Sequence, residues 1–377
     1  MKGRNWLLLN VLLVLALLSV VTYNVVKVDP YMHYHAPLTD EYYYALGMQR
    51  YINNGITKNF EYDAVISGTS MIENFKTSEF DEVFSANSVK LPYQGATYKE
   101  INENLLIAAE KNPELCLVLR CLDYAKLFDP SDMLREDLGS YPDYLYDDNI
   151  FNDYEYVFNK TVIFSRVYAM QKESRSEGFE PGVTSFDTYS NWMGVGSFGF
   201  DSIYPDAQPD FAAVGEPVHI TEAEAEMVAQ SIRENVCSLA RDYPGITLYC
   251  FFSPYSAAWW QERQADGTLY KFIEAEQIAI EEMLKYDNIN LFSFNCLTEM
   301  TTDLNNYKDV THYGDWVNSQ ILKWMYAGDY QLTEENYREY LKEELEFYSS
   351  YDYSLLAQQE DYKDDSLAAA EFEKLVK

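Results

Sequence analysis

The 377-residue chain is long enough for one large α/β domain with insertions, or for two domains. Its 28 basic and 61 acidic residues give a net charge of −33, which repels nucleic acid and anionic lipid surfaces, so we expect no nucleic-acid partner. Hydrophobic residues make up 47% of the chain, which argues against wholesale disorder. The 34 tyrosines suit contacts with sugars, but they suit a protein core equally well.

Residues 1–28 are predicted to form a transmembrane signal-anchor. Lys2 and Arg4 precede an apolar run over residues 6–21 that continues to Val26, about the ~20 residues needed to cross a bilayer. No small-x-small cleavage motif is evident, which favours an uncleaved anchor over a cleaved signal peptide. The basic residues before the span predict a single-pass protein of the cell membrane, with its N-terminus in the cytoplasm and its main domain outside.

The rest of the chain is predicted to have three parts. Residues 29–60 form a juxtamembrane linker and a helix, expected over 41–53 because Asn54-Gly55 then interrupts the amphipathic pattern. Residues 61–330 form the main α/β domain. Residues 331–377 form an acidic, helical C-terminal tail.

Neither a metal nor a cofactor is expected. His33 and His35 stand two residues apart, but no cysteine or acidic cluster accompanies them at ligand spacing, so a solvated linker is the favoured interpretation. The five cysteines form no CxxC pair and lie mostly in apolar segments, which favours buried free thiols over a disulfide framework. They are Cys116, Cys121, Cys237, Cys250 and Cys296.

A repeating strand–helix pattern defines the main domain. Five apolar segments are predicted strands, at residues 63–67, 89–91, 115–122, 246–252 and 288–294. Helical segments separate them, and two of these begin with capping boxes at Thr97 and Thr221. The pattern predicts a three-layer α/β sandwich with a roughly five-stranded parallel sheet.

A large loop-rich insertion, residues 124–217, follows the third predicted strand. It is rich in Asp, Tyr, Gly and Asn, and it leaves the sheet at the carboxyl end of a strand, where open α/β sheets bind ligands. An insertion of this size is typical of a lid or a binding surface. Trp192 within it is a candidate for stacking on a sugar ring.

Ser70 is the candidate nucleophile. It follows Gly68 at the turn where the first predicted strand passes into a predicted helix over 71–80. That position would expose the hydroxyl above the sheet, and it would direct the first N–H groups of the helix at an oxyanion. Taken alone, such a serine is more often an ordinary residue at a helix N-terminus.

Asp309 and His312 are the candidate base and its partner. A histidine can take the proton of a serine, and an acid three residues earlier can orient the imidazole. The alternatives are that His312 is a satisfied polar group and that Asp309 caps the helix that begins near Gly314.

The order Gly68-x-Ser70, Gly95, Asp309-x-x-His312 resembles the SGNH (GDSL-type) hydrolase superfamily. The resemblance is greatest to its membrane-anchored extracellular branch, which includes alginate O-acetyltransferase proteins and the D-alanyl-transfer protein of teichoic acids. It implies a Ser70–His312–Asp309 catalytic triad. It also implies an oxyanion hole formed by the backbone N–H groups of Ser70 and Gly95.

The sequence departs from that superfamily at the third conserved block. The family places an asparagine in a Gly-x-Asn-Asp loop, whereas Asp123 occupies that loop here, and an ionised carboxylate repels an oxyanion. Arg120 could neutralise Asp123 or face the substrate itself. Asn74, one helical turn after Ser70, is another possible oxyanion donor.

Two functions follow as hypotheses. The resemblance implies a serine O-acyltransferase or esterase acting on a cell-surface or secreted glycan, with envelope-polysaccharide assembly proteins as partners. The alternative is a non-catalytic SGNH-like binding or scaffold protein of such an assembly. The missing asparagine block and the acidic, tyrosine-rich insertion motivate this alternative. A phosphate-transfer or metal enzyme is less favoured, because no carboxylate cluster stands at ligand spacing.

Overall fold

A computed structural model describes residues 2–137, 139–362 and 364–376. About half of the chain is helical, and it contains a parallel sheet and an apolar N-terminal helix. The predicted α/β class is therefore confirmed. The chain divides into two units, the first formed by Met1–Glu61 and Leu138–Ser185 and the second by Tyr62–Asp137 and Phe186–Lys377.

The described part of the chain contains eight strands in two sheets. In chain order they are β1 Tyr43–Tyr44, β2 Ala64–Gly68, β3 Ser88–Pro92, β4 Leu117–Leu122, β5 Gly182–Val183, β6 Thr247–Phe252, β7 Ile289–Ser293 and β8 Gln331–Leu332.

Sixteen α-helices are present among the described residues. They are α1 Lys2–Val28, α2 Gln49–Asn59, α3 Thr77–Phe84, α4 Tyr98–Lys111, α5 Asp143–Tyr146, α6 Tyr154–Val157, α7 Tyr168–Glu173, α8 Phe200–Ile203, α9 Glu222–Asn235, α10 Cys237–Asp242, α11 Ala257–Ala265, α12 Leu269–Met283, α13 Thr298–Thr302, α14 Asp315–Ala327, α15 Tyr337–Ser350 and α16 Asp365–Leu375. A π-helix, Thr161–Val167, runs directly into α7.

The first unit carries the apolar helix α1. Over Gly3–Val28 its mean hydropathy reaches 2.3, and none of the most apolar window is buried, so α1 is long and apolar enough to cross a membrane. A signal sequence would have the same length and composition. The unit also holds a two-stranded parallel sheet, in which Tyr43 pairs with Gly182 and Tyr44 with Val183.

The helix predicted over 41–53 is wrong in its position. Residues 43–44 form β1, and α2 runs from Gln49 to Asn59 with Gly55 in its interior. A Cβ atom at Gly55 would collide with the carbonyl oxygen of Tyr31. This glycine therefore permits a close approach of two backbone segments and does not end a helix.

The second unit is built on a six-stranded sheet with the order β3-β2-β4-β6-β7-β8. The first five strands in that order pair in parallel, and β8 pairs antiparallel with β7 through Leu291 and Leu332. The sheet thus differs from the predicted one by a sixth strand. Two residues are too few to show an alternating pattern, so β8 could not be read from the predicted tail.

The strand β2 lies inside the sheet, between β3 and β4, and all five of its residues are buried. The sequence predicts this, because an apolar run without alternation is typical of a strand covered on both faces. The carboxyl ends of β2, β4 and β6 are neighbours, since Ser67 pairs with Arg120 and Leu122 with Phe252. Residues that follow these three ends are therefore brought close together.

The helix caps match the sequence well. Both predicted capping boxes are present, Thr97 with Glu100 at α4 and Thr221 with Glu224 at α9. The helix α11 ends at Ala265, and α12 begins at Leu269.

The units divide the chain differently from the predicted organisation. The predicted insertion, 124–217, is divided between the two units. Its residues 139–185 belong to the first unit with the N-terminal segment, and the remainder belongs to the second unit. The segment predicted as a tail, 331–377, also belongs to the second unit. This segment packs into the core of the second unit, because Glu344 and Tyr348 of α15 are fully buried.

Candidate active site

Ser70 lies immediately beyond the carboxyl end of β2. It begins a short 3-10 turn, Ser70–Ile72, and the next α-helix starts only at Thr77. The predicted helix over 71–80 is therefore wrong in its position, because α3 spans Thr77–Phe84. Lys90 explains why no α-helix forms directly after Ser70. Its buried ammonium donates hydrogen bonds to the carbonyl oxygens of Glu73 (2.6 Å) and Phe75 (2.9 Å), which a helix would pair with its own N–H groups.

Gly68 is needed where the strand ends. A Cβ atom there would lie 2.8 Å from Cγ2 of Ile72 and 2.9 Å from Cβ of Cys121. Both distances are too short for a side chain, so only glycine lets the chain turn closely above β4 and present Ser70.

Ser70, His312 and Asp309 form one hydrogen-bonded series. The Oγ of Ser70 lies 2.7 Å from Nε2 of His312. On the other side of the ring, Nδ1 of His312 lies 2.8 Å from Oδ2 and 3.0 Å from Oδ1 of Asp309. With Nδ1 donating to the carboxylate, Nε2 is left to accept the serine proton, as general-base activation of a hydroxyl requires.

The loop that carries the histidine fixes its own carboxylate. The Oδ1 of Asp309 accepts the backbone N–H groups of Thr311 and His312, each at 2.9 Å. The loop is held in turn to the end of β6, because the carbonyl oxygen of Val310 accepts from the Oγ (2.8 Å) and the backbone N–H (3.2 Å) of Ser256. Asp309 therefore faces the imidazole, and α14 begins beyond it at Asp315.

The pKa values of His312 and Asp309 are both shifted in favour of the charged forms. Burial lowers the pKa of His312, but the hydrogen bond and the charge of Asp309 outweigh burial and leave that pKa raised. For Asp309, burial raises the pKa, yet the His312 ring and the two N–H donors bring it down to about 2. The carboxylate thus stays ionised and stabilises the imidazolium that would form on proton transfer.

Asp123 lies at the carboxyl end of β4 and does not stand free in the site. Its Oδ2 accepts a short hydrogen bond from Oγ1 of Thr69, and its Oδ1 accepts one from the hydroxyl of Tyr255. Both carboxylate oxygens therefore tie together the segments that follow β2 and β6. The side chain holds the turn on which Ser70 stands.

Arg120 makes its contacts with Tyr98. It is fully buried in β4, where Nη2 donates to the carbonyl oxygen of Tyr98 at 3.2 Å and the guanidinium lies 5.8 Å from the centre of the Tyr98 ring. Burial lowers its pKa. Among the described residues no ion pair joins Arg120 to Asp123, so the interpretation that it neutralises this carboxylate is wrong.

Asn74 is held with one polar atom free. It is 2% exposed, its Oδ1 accepts the backbone N–H of Trp192 at 3.2 Å, and its Nδ2 has no partner among the described residues. The carbonyl groups on either side of it are the two that Lys90 binds. A buried N–H donor without a partner is costly, and this one is fixed a few residues after Ser70.

Trp192 belongs to the wall of the site beside His312. The two rings meet edge to face with centres 5.8 Å apart. Phe198 stacks on the indole with ring centres 6.2 Å apart, and the ammonium of Lys308 lies 4.9 Å from the centre of the indole. The indole Nε1 is buried and has no partner among the described residues.

Gly95 lies just past β3, in a turn closed by a 3.0 Å hydrogen bond from the N–H of Ala96 to the carbonyl oxygen of Tyr93. Its φ of +64° is in the left-handed region, where glycine is favoured. The N–H of Tyr93 donates to the carbonyl oxygen of Gly68 at 2.9 Å, so this turn begins beside the turn of Ser70. The guanidinium of Arg135 packs against Gly95 and binds the carbonyl oxygen of Gln94.

The sequence interpretation missed three residues of this site: Thr69, Tyr255 and Lys90. A lysine inside an apolar strand was a usable signal, since such a side chain has to find buried acceptors. Burial lowers the pKa of Lys90 to about 7. Tyr255 gave no signal, because one tyrosine among 34 carries no pattern.

Within the described ranges, no group of three or more His, Cys, Asp or Glu side chains is arranged to hold a metal ion.

Comparison with known proteins adds little. No protein-family profile matches the sequence, and no curated protein matches it. A solved structure of a protein from Streptococcus pneumonia, provisionally described as a platelet activating factor, is 13% identical. The match covers 78% of this chain and 91% of that chain with a TM-score of 0.36, a similarity too low to support a conclusion.

Proposed function

We propose that this chain is a membrane-anchored, extracellular serine enzyme of the SGNH type that transfers or hydrolyses acyl esters of a cell-surface or secreted glycan. The hydrogen-bonded series Ser70–His312–Asp309 carries the proposal. Its members come from segments 242 residues apart and meet beyond the carboxyl ends of parallel strands, where α/β enzymes bind substrates. The membrane part of the proposal rests on α1 and on Lys2 and Arg4 before it.

The proposed chemistry has two halves. The Oγ of Ser70 attacks the carbonyl carbon of the acyl donor while its proton passes to Nε2 of His312. The tetrahedral intermediate then collapses, the leaving alkoxide takes that proton, and an acyl-serine remains. A sugar hydroxyl or a water molecule next gives its proton to Nε2 of His312 as its oxygen attacks the acyl carbon. The bond from that carbon to Oγ of Ser70 then breaks and Oγ takes the proton back from His312, which yields a transferred acyl group or a free acid.

The negative oxygen of the intermediate needs N–H donors. The backbone N–H groups of Ser70 and Gly95 are two candidates on neighbouring turns. Asn74 is the third, because its Nδ2 is buried and unpartnered while its Oδ1 is held by Trp192. A fixed donor of this kind lowers the barrier because it needs no reorganisation during the reaction. Asn74 would thus serve as the oxyanion donor in place of the asparagine of the family's Gly-x-Asn-Asp loop, which this sequence lacks.

A serine-directed fluorophosphonate tests the proposal. The full-length chain in mild detergent should be labelled once, and Ser70→Ala should abolish labelling. Ser350→Ala, which removes an exposed hydroxyl at the end of α15, is the matched control and should be labelled like the wild type. Equal labelling of wild type and Ser70→Ala would refute the enzyme and favour the binding or scaffold function instead.

A chromogenic acyl ester then separates transfer from hydrolysis. An esterase releases acid at a rate that added sugar hydroxyls leave unchanged. A transferase forms a sugar ester at the expense of the acid, and a water-excluding site would favour it.

A further inference from the structure

The first unit exposes an unusual group of apolar side chains. Six large residues within a stretch of 19 are exposed by between 43% and 85% of their surface. They are Ile150, Phe151, Tyr154, Phe158, Phe164 and Tyr168, and together they are called the apolar patch below. A contiguous patch of exposed apolar side chains of this size is typical of a surface that contacts a membrane or another protein.

The apolar patch lies beside the apolar helix α1. Both α6 and the π-helix Thr161–Val167, which carry part of it, pack against α1. Near the C-terminal end of α1, Oδ1 of Asn24 accepts a 2.8 Å hydrogen bond from Nε2 of Gln171.

Burial changes along α1 at the same place. Large residues from Trp6 to Val20 are 40–67% exposed, whereas Val25 and Val28 are buried within the unit. The point at which α1 leaves a bilayer and enters the folded unit therefore falls near residues 20–24. The helices that carry the apolar patch pack against α1, so the patch belongs to the part of the unit nearest the membrane surface.

The local charge is less negative than that of the whole chain. Across the apolar patch, residues 150–168, Lys160 and Arg166 balance Asp153 and Glu155, whereas the chain as a whole has 28 basic and 61 acidic residues. Lys160 and Lys172 are exposed. Basic side chains interspersed with exposed aromatic rings are typical of segments that lie in the headgroup region of a membrane.

We propose that the apolar patch lies in the lipid–water interface of the leaflet from which α1 emerges, as a second membrane contact of the first unit. The aromatic rings bury their apolar faces among the acyl chains. The exposed Lys160 and Lys172 lie at the headgroup level, where they interact with the lipid phosphates. This inference rests on the proposed anchoring by α1 and is independent of the proposed catalysis.

Spin labels on single cysteines measure the depth of each position in the bilayer. The background is the full-length chain with Cys116→Ser and Cys296→Ser, since Cys116 is exposed and Cys296 is half-buried, whereas Cys121, Cys237 and Cys250 are buried. Phe151→Cys and Phe164→Cys report on the apolar patch. Leu12→Cys reports on the middle of α1, and the exposed Glu177→Cys of the same unit is the matched control.

Each protein is reconstituted into vesicles of zwitterionic and anionic phospholipid, and collisions with oxygen and with a water-soluble nickel chelate are compared. Labels at 151 and 164 should collide with oxygen severalfold more, relative to the chelate, than the label at 177 does. Labels at 151 and 164 that behave like the one at 177 would overturn the inference. So would labels shielded from both reagents, since a covering protein would then be the partner.

The label at position 12 separates the two proposals. If the label at position 12 collides readily with the nickel chelate, α1 does not span the bilayer. The proposed membrane anchor is then refuted, together with the inference that rests on it. If that label reports lipid while labels 151 and 164 report water, the anchor stands and only the membrane contact of the patch is refuted.

Discussion

His312 is the residue whose protonation state controls the proposed reaction. Only the neutral imidazole can take the proton of Ser70, and Asp309 raises the pKa of the ring by favouring its charged form. The hydrogen bond to Asp309 therefore has two effects on His312. It would make the ring a stronger base, and it raises the pH above which the ring is neutral and able to accept a proton.

We predict that the rate of fluorophosphonate labelling rises with pH, with a midpoint above 6.5, the ordinary pKa of histidine. Asp309→Asn should shift that midpoint to lower pH, because the charge that raises the pKa is gone. It should also slow labelling by up to roughly 10⁴-fold, because an amide can hold the wrong tautomer of the ring. Labelling rates measured between pH 5 and pH 9 check both effects. A midpoint that Asp309→Asn leaves unmoved would contradict the pairing.

Asn74 gives a second test at the scale of one residue. Asn74→Ala should lower kcat roughly 100–1000-fold and change KM little, because an oxyanion donor acts in the transition state. Asn74→Asp is the sharper variant, since it keeps an oxygen to accept the N–H of Trp192 but replaces the donor with a charge that repels the oxyanion. Near-normal turnover in Asn74→Asp would show that Asn74 only supports Trp192.

Among the elements, α15 shows how the C-terminal segment is attached to the core. Glu344 of α15 and Glu276 of α12 are both fully buried, and Oε1 of Glu344 accepts a 2.7 Å hydrogen bond from Nδ2 of Asn295. Burial raises the pKa of both carboxyl groups, and their mutual repulsion raises that of Glu344 further. Near neutral pH the pair therefore holds at least one proton that the unfolded chain would release.

This attachment predicts a pH-dependent stability. A carboxyl group with a raised pKa in the folded state contributes stability that is present below its unfolded pKa, near 4.5, and is lost as the pH rises through the folded pKa. Glu344→Gln keeps an acceptor for Asn295 and removes one titration. Its melting temperature should thus exceed that of the wild type increasingly from pH 5 to pH 8. A constant difference across this range would contradict the prediction.

At the scale of the whole molecule, the net charge of −33 sets a balance between repulsion and local ion pairs. Exposed ion pairs such as Lys342 with Glu339 contribute little to stability and are weakened by salt. The excess of like charge destabilises the folded state, and salt screens this repulsion as well.

We predict that repulsion dominates, so the melting temperature of the chain in a non-ionic detergent should rise with sodium chloride between about 10 mM and 0.5 M, as the Debye length falls from about 30 Å. A neutral osmolyte of equal osmolality is the control and should have a smaller effect. A melting temperature that falls with salt would show that the ion pairs outweigh the excess charge.

The sequence by itself determined the features that depend on local pattern. The apolar length of α1, the five parallel-paired strands and the capping boxes at Thr97 and Thr221 follow from composition and spacing over a few residues. It also singled out Ser70, Asp309 and His312 as one group, because their order along the chain resembles that of the SGNH hydrolases.

Only the tertiary structure decided the features that depend on distant partners. The helix expected after Ser70 gives way to a tight turn because Lys90, on another strand, binds the carbonyl groups that a helix would use. Asp123 acquires its structural role from Thr69 and Tyr255, which follow two other strands. A buried polar group must be satisfied by whatever the fold brings to it, and a sequence does not show which residues those will be.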